Sequence, residues 1–465
     1  MMRRPRSVIS SELTHADGIW SRNLMALWLG QGVSQLGDRC YEVAFVWLLV
    51  GLTSSTLLIG AVFTMSYLPT VILLVVGGVW ADRLSRRGIL LASDLLRVGV
   101  TLVFAMLVTL GVINVVGMFV FAVAYALVGA FVNPALAALY PALIAPSDYG
   151  RATALSQVVR RVAWLVGPAL GGLLIARWSV AAALMFDAGT FAVAVVATLV
   201  MRMPRQGRQS TDAAENSRSV SDVSGASGVS RPSFARELMS GIRFLLGEPG
   251  VLTIVLFFSF TNGLNDVEEV LVPVLARHEL RLTAFSYGLL TSAFGAGALI
   301  GALFLSAVGD RVRHRVAAIC GGTAALGGAI ILMGAAPSFV WLILAYFVGG
   351  LGFITSEIVS LTLWQHIVPD AARGRVFSVM GAISMGMNPV GYLVAGALGQ
   401  FVGVRSGLWI GGGLILALMA CAYLLPAVRA LDRRSFGGQS VAATLGAGED
   451  GARGGEAMTA QGEAL

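Results

Sequence analysis

The chain contains no lysine: all 32 of its basic side chains are arginine, set against 25 acidic residues for a formal charge of +7. A P-loop of the form GxxxxGK[ST] needs its lysine to reach the phosphates, and Schiff-base chemistry needs a lysine amine. The chain is therefore no P-loop ATPase by itself. Charge of either sign is scarce, at 12% of 465 residues, where a soluble protein averages roughly 25%. That scarcity excludes a disordered chain, a nucleic-acid-binding domain and almost any soluble enzyme of this length. Cysteine is scarce too. Cys40, Cys320 and Cys421 lie far apart within apolar segments, so neither a disulfide framework nor a zinc site is indicated. The four histidines (His15, His278, His314 and His366) are scattered, and no HExxH or CxxC occurs. His366 and Asp370 do spell HxxxD, but at the end of an apolar run entering a loop. No enzyme activity, metal, cofactor or nucleic-acid partner is expected. The first twenty residues are polar and lack the apolar core of a cleavable signal peptide, so the first apolar segment is expected to stay in the mature protein.

Apolar sequence is what the chain has in abundance. Hydrophobic residues make up 57% of it, with 57 glycines and a mean hydropathy of +0.81. A bilayer core about 30 Å thick takes ~20 mostly apolar helical residues to span. Twelve segments qualify: 24–50, 54–80, 88–110, 114–144, 152–176, 180–202, 250–275, 284–308, 316–336, 338–366, 376–402 and 405–428. They are too long for barrel strands and lack period-2 alternation, which leaves helix. The fold class expected is all-α integral membrane, with twelve transmembrane helices in two six-helix bundles around a central cavity. The bundles fall at 24–203 and 250–428. Between them, 204–249 reads as a serine- and glycine-rich linker followed by a short amphipathic helix carrying Phe234, Leu238, Ile242 and Leu245. Residues 1–23 form an N-terminal segment, and 429–465 a Gly/Ala-rich tail expected to be disordered.

Arginine placement orients the spans. With the even-numbered loops inside, 24 arginines fall in inner segments, four outside (Arg177, Arg277, Arg281, Arg405) and four within spans (Arg39, Arg97, Arg160, Arg161). By the positive-inside rule both termini are expected to face the cytoplasm. Weak internal repeats suggest duplication. An offset of 228 carries Asp82-Arg83 onto Asp310-Arg311 and Asp38 onto Asp266, and one of 222 carries Asp148, Arg151 and Ser156 onto Asp370, Arg373 and Ser378.

Ionisable residues inside spans point to a site, because a charge at mid-bilayer costs about 2.5–3.5 kcal/mol and normally faces a cavity or a partner. Gln31, Gln35, Asp38 and Glu42 recur at i, i+4, i+7 and i+11 on one face of the first span. Ser259, Asn262, Asp266 and Glu269 form a comparable stripe on the seventh. As the first helices of the two halves, both are expected to line the cavity with their aspartates near mid-span. The alternative is that Arg39 neutralises Glu42 or Asp38 and the cluster only fixes packing. Glu268 lies closer to the outer end. Arg160 and Arg161 are candidates to pair with acids of the first span or to meet an anionic substrate, and Glu357 for protonation. Asp94 and Arg97 are expected to form a local i, i+3 ion pair, and Asp187 a near-surface cap of the sixth helix.

The loop GGVWADRLSRR, residues 77–87, resembles the signature between the second and third helices of the major facilitator superfamily, with Gly78, Asp82, Arg83, Arg86 and Arg87 matching and Ser85 in place of a glycine. The resemblance implies a gating latch at Gly78, Asp82, Arg83 and Arg87, repeated at Asp310 and Arg311; a topology-setting basic loop is the other reading. Stretches such as WLGQGVSQLGDRCYEVAF in the first span and RRVAWLVGPALGGLL in the fifth resemble exporters of macrolides and of catecholate siderophores. Gly167, Pro168, Gly171 and Gly172 resemble a shortened antiporter motif, or form an ordinary small-residue packing face. The resemblance implies a monomeric exporter of small amphipathic molecules, with the lipid bilayer and protons as its other partners and proton antiport as its mechanism. A lysolipid flippase and a non-transporting membrane sensor stand as alternatives.

Overall fold

The computed structural model describes residues 21–76, 86–130, 132, 136, 139, 148–201, 243, 246, 247, 249–308, 312, 314–368, 370–426, 428 and 429. Among these, helices are joined by short turns and no strand occurs. The first group is α1 (Arg22–Leu52), α2 (Thr56–Val76), α3 (Arg86–Thr109), α4 (Val115–Gly129), α5 (Tyr149–Arg177) and α6 (Val180–Val200). The second is α7 (Pro249–Val274), α8 (Ala284–Val308), α9 (Arg315–Ala335), α10 (Phe339–Ile367), α11 (Asp370–Gly386), α12 (Asn388–Phe401) and α13 (Val404–Leu424). Side-chain caps begin several of them: Ser21, Asn114 and Ser179 each accept a bond from the backbone N–H three residues on.

Thirteen described helices make twelve spans, because α11 and α12 are consecutive pieces of one. The eleventh span was expected as a continuous 376–402. It starts at Asp370 instead and breaks at Met387, where Pro389 enters the first turn of α12. Proline has no N–H to give the preceding turn and disfavours helix at the residue before it. Eight described helices (α2, α3, α5, α6, α8, α9, α10 and α13) are long and apolar enough to cross a membrane. Of the others, α1 and α7 carry the charged stripes, α4 is short in its described part and α11–α12 is interrupted. Large apolar side chains such as Leu29, Phe304 and Phe401 are exposed around the outside, as lipid-facing surface requires. Gly78, Asp82, Arg83, Asp310 and Arg311 of the expected latch lie outside the described residues. So do the amphipathic-helix positions Phe234, Leu238, Ile242 and Leu245, and the tail beyond Arg429.

Within the first group α1 packs on α5 and α6, and α3 on α6; within the second α10 packs on α8 and α9, and α13 on α7 and α9. The main seams between the groups are α2 against α12 and α5 against α8. Both depend on glycine. On α5, Gly167 and Gly171 share one face, pressed on Arg39, Leu36 and Cys40 of α1. Pro168 and Gly172 share the next face, against Gly288 and the Ala284 carbonyl of α8. Spacing of i, i+4 puts each pair on its own neighbour, so one short motif joins α5 to its own group and to the other. Pro168 also interrupts the ladder of α5; the Ala169 N–H donates to Ser292 Oγ on α8 at 3.0 Å. At the α2–α12 seam Thr56 Oγ1 donates to the Gly396 carbonyl at 2.8 Å and Thr64 Oγ1 to the Pro389 carbonyl at 3.0 Å. A Cβ on Gly396 would come 2.7 Å from the Thr56 carbonyl.

These seams gather at the end of the molecule that carries Ser54 and Thr283. A third tie lies there. The helix α7 runs on as a π-turn, Leu275–Glu279, from which Arg277 donates to the Trp47 carbonyl and stacks on its ring at 4.8 Å, while His278 Nε2 lies 3.0 Å from the Val50 carbonyl. Both residues satisfy carbonyls near the C-terminus of α1. Gly288→Leu is expected to pry this end open, since the added side chain meets the Pro168 backbone. The check is a single cysteine at Thr291 in a background lacking the native cysteines. It should gain reactivity toward an impermeant thiol reagent applied from the Ser54 face, and unchanged protection would show the seam tolerates the insertion.

Candidate functional site

A cavity of about 510 Å³ lies between the two groups, walled by α1, α2, α4 and α5 on one side and α7, α8 and α10 on the other. Ten of its lining residues are aromatic, Tyr41, Tyr125, Trp164, Tyr287 and Tyr346 among them. Its charged lining residues are Asp38, Arg39 and Glu42 from α1 with Glu268 and Glu269 from α7. Four carboxylates therefore face one guanidinium across a wall of rings.

Most of these charges are tied to something. The Tyr125 hydroxyl donates to Asp38 Oδ1 at 2.6 Å, and Arg97 Nη1 reaches the same oxygen at 3.4 Å. Arg39 pairs with Glu42 at 2.6 Å and stacks over Trp164 at 5.0 Å. The Tyr392 hydroxyl donates to Glu269 Oε2 at 2.5 Å. Arg161 stacks on the same Trp164 at 5.3 Å and pairs with Glu357 of α10 at 3.1 Å, which bridges the two groups. Glu268 differs. It is only 8% exposed and its Oε2 atom has no hydrogen-bond partner.

Behind Asp38 lies a second cluster. Arg97 interacts electrostatically with Asp38, Asp94 and Asp187 and stacks over Tyr125 and Phe191 at 5.2 and 5.0 Å. The expected i, i+3 pair of Asp94 with Arg97 does not form: the long guanidinium reaches across to α1 instead, and Asp94 Oδ2 is left without a hydrogen bond. Asp187 is no surface cap. It sits in the second turn of α6, fully buried, packed against Gly37 of α1 with neither carboxylate oxygen hydrogen-bonded.

The stripe expected on α7 is rotated. Asn265, Glu268 and Glu269 face the cavity, whereas Asn262 is half-buried outside the lining and Asp266 turns away. Asp266 is 4% exposed and lodged against Gly391 of α12, its Oδ2 without a partner. Both stripes obey helical spacing, so only the packing of α7 on α12 distinguishes them. On α1 the cavity takes Asp38 and Glu42; Gln31 is buried and Gln35 half-buried, and neither lines it. Arg160 is exposed. Arg87 donates to the Thr198 and Leu199 carbonyls at 3.1 and 2.9 Å, closing the C-terminus of α6. His366 of the HxxxD stretch lies 2.7 Å from the Thr362 carbonyl of its own helix, and the described residues contain no group of three metal-ligating side chains.

Comparison with known proteins agrees with this architecture. The family model described as transmembrane secretion effector matches residues 20–447. Macrolide efflux protein A of Streptococcus pyogenes is 22% identical over 415 residues, covering 89% of this chain and 98% of that protein. The multidrug efflux pump Tap of Mycolicibacterium fortuitum is 27% identical over 409 residues, covering 86% and 94%. Among solved structures, a crystal structure of the peptide transporter POT superposes with a TM-score of 0.65 at 13% identity, over 89% of this chain and 95% of that one. At that identity the likeness is one of fold alone.

Proposed function

The chain belongs to the transmembrane secretion effector family of the major facilitator superfamily, and from that premise we propose that it exports small amphipathic molecules by proton antiport with alternating access. It is a multi-pass membrane transporter and not an enzyme. The observation that carries the proposal is the cavity itself: an aromatic chamber holding carboxylates, between two helix groups whose close backbone contacts gather at one end. Opening that end while closing the other exposes the same chamber to the opposite side of the membrane. The relatives' efflux of a macrolide or of several drugs supports the outward direction.

With both termini assigned to the cytoplasm, the end at which the seams gather faces outside. A cysteine at Ser54, an exposed position between α1 and α2, is expected to react with an impermeant thiol reagent from outside, and one at Ser233 is not. Reversed labelling would overturn the orientation argued from the arginines.

Coupling is assigned to the buried acids. A carboxyl without a partner in a low-dielectric interior is far cheaper to hold protonated than charged, and Asp266 is in that position beside a helix seam. Protonation there would be read by the α7–α12 contact, and through Tyr392 and Glu269 by the cavity wall. Flux of a panel of amphipathic drugs in proteoliposomes holding the monomeric protein tests the reading. Flux that follows an imposed pH step supports antiport, flux indifferent to it points to a flippase, and binding without flux to a sensor.

A further inference from the structure

We propose that the turn Leu275–Glu279 is an outer latch sensitive to the pH outside, in which Arg277 locks the end of α1 and His278 tightens the lock when it is charged; this rests on the transporter reading above and adds a regulation to it. Val50 lies in the last turn of α1, whose carbonyls run beyond the helix's own supply of N–H groups. His278 crosses from the second helix group to meet it, with Nε2 3.0 Å from the Val50 carbonyl. Arg277 donates to the Trp47 carbonyl, and its guanidinium fills the space over Gly51, where a Cβ would come 2.6 Å from Nη2. The same guanidinium stacks on Trp47 at 4.8 Å, and Trp47 stacks in turn on Tyr287 at 5.9 Å. Tyr287 lines the chamber. Guanidinium, indole and phenol therefore form one stack that runs from the latch to the chamber wall and holds α1 between α8 and the end of α7.

His278 is exposed, so its imidazole exchanges protons with water at this end. The charged groups around it are Arg277, Glu279 and Arg281 of its own segment and Arg405 of α13, which pairs with Glu279 at 2.7 Å. Residues 43–60 of α1 and α2 carry no charge, and the first two turns of α8 offer only Tyr287. With Arg277 held on Trp47 and Glu279 on Arg405, a charged His278 faces the negative end of α1. A cation is favoured there by the free carbonyls and by the helix dipole, and imidazole is the side chain whose charge ordinarily changes between about pH 5 and 8. Separating the two helix groups takes the Val50 carbonyl away from the ring. The latched state therefore binds the proton more tightly than the opened one. By linkage, acid favours the latch and its hold weakens as the pH rises. A transporter built this way opens outward less readily toward a strongly acid exterior, where the inward leak of protons would be greatest.

Spin labels on cysteines at Val112 and Ser338, exposed positions in the α3–α4 and α9–α10 turns, report the separation of the two groups at this end. The purified full chain, lacking its native cysteines, is measured in detergent by double electron–electron resonance at pH 5.5 and pH 8. A longer-distance component is expected to grow at least about twofold from the lower pH to the higher. His278→Gln keeps a donor for the Val50 carbonyl but cannot take a charge, so the growth should shrink at least about threefold. Arg277→Gln should raise the longer component at both pH values. Size-exclusion profiles matching wild type establish that the variants are folded. A wild-type distribution indifferent to pH, or undiminished growth in His278→Gln, would overturn the pH sensing; an Arg277→Gln distribution no longer than wild type would overturn the latch. No flux enters this measurement, so it stands apart from the export reading. A pH-sensitive latch in a chain without drug flux would sink export and leave the latch, whereas pH-driven flux with an outer end indifferent to both substitutions would do the reverse.

Discussion

Uphill transport driven by an imposed pH step is expected to disappear in Asp266→Asn, while substrate binding and gradient-independent exchange persist. The amide has the size and neutrality of the protonated acid, so it should fit where the carboxyl lies against Gly391 without disturbing α12. It cannot release a proton. The variant is thus held in one of the two states that antiport must alternate between, and loses coupling without losing the cavity, whose lining does not include Asp266. Asp38→Asn should behave differently. Asp38 lies in the lining and is held by Tyr125 and Arg97, so that variant should lose binding as well as drive. Transport in inverted vesicles, with substrate affinity measured in parallel, distinguishes the two. Wild-type gradient-driven transport by Asp266→Asn would remove it as the coupling site and turn attention to Glu357 or to the cluster around Arg97.

Arg97→Met is expected to be the most destabilising single change in the first helix group. One guanidinium serves three acids there, Asp38, Asp94 and Asp187, and the last two are nearly or fully buried. Deleting one partner of a buried charge pair typically costs about 3–5 kcal/mol, because the remaining charge stays buried alone. Thermal unfolding in detergent should therefore shift strongly downward. Adding Asp38→Asn to the same chain should recover a large part of the loss by removing the orphaned charge. Arg97→Lys should rescue only partly, since it keeps the charge but gives up the planar stacking on Tyr125 and Phe191. A double variant no more stable than Arg97→Met alone would show that Asp38 is not the partner that matters.

Only part of this site was legible in the one-dimensional pattern. The stripe on α1 put Asp38 and Glu42 on one face, and both line the cavity. On α7 the same reasoning favoured Asn262 and Asp266 over Asn265 and Glu268. Both sets recur at helical spacing and both are polar, so the wheel alone cannot rank them. The partner of Arg97 was misread for a related reason. Local spacing offered Asp94 three residues away, but a long side chain inside a bundle has neighbours on other helices. Tyr125 and Phe191 supply ring faces and Asp38 a carboxylate, a combination no position on α3 provides. Asp187, near the start of its span, looked like a cap; the close approach of α6 to Gly37 buries it.

What the sequence determined by itself was the class of molecule. Long apolar runs without lysine-dependent chemistry, in a chain with half the usual charge, admit only spanning helices, because a backbone in lipid must satisfy its own hydrogen bonds. The loop at 77–87 likewise resembles the signature of the superfamily to which the chain belongs. The tertiary structure alone decided which charges neutralise one another and which acid is left facing the chamber. Those outcomes depend on the approach and rotation of helices about their axes. Close packing sets them through residues such as Gly37, Gly288 and Gly391, whose missing side chains let one helix settle against another.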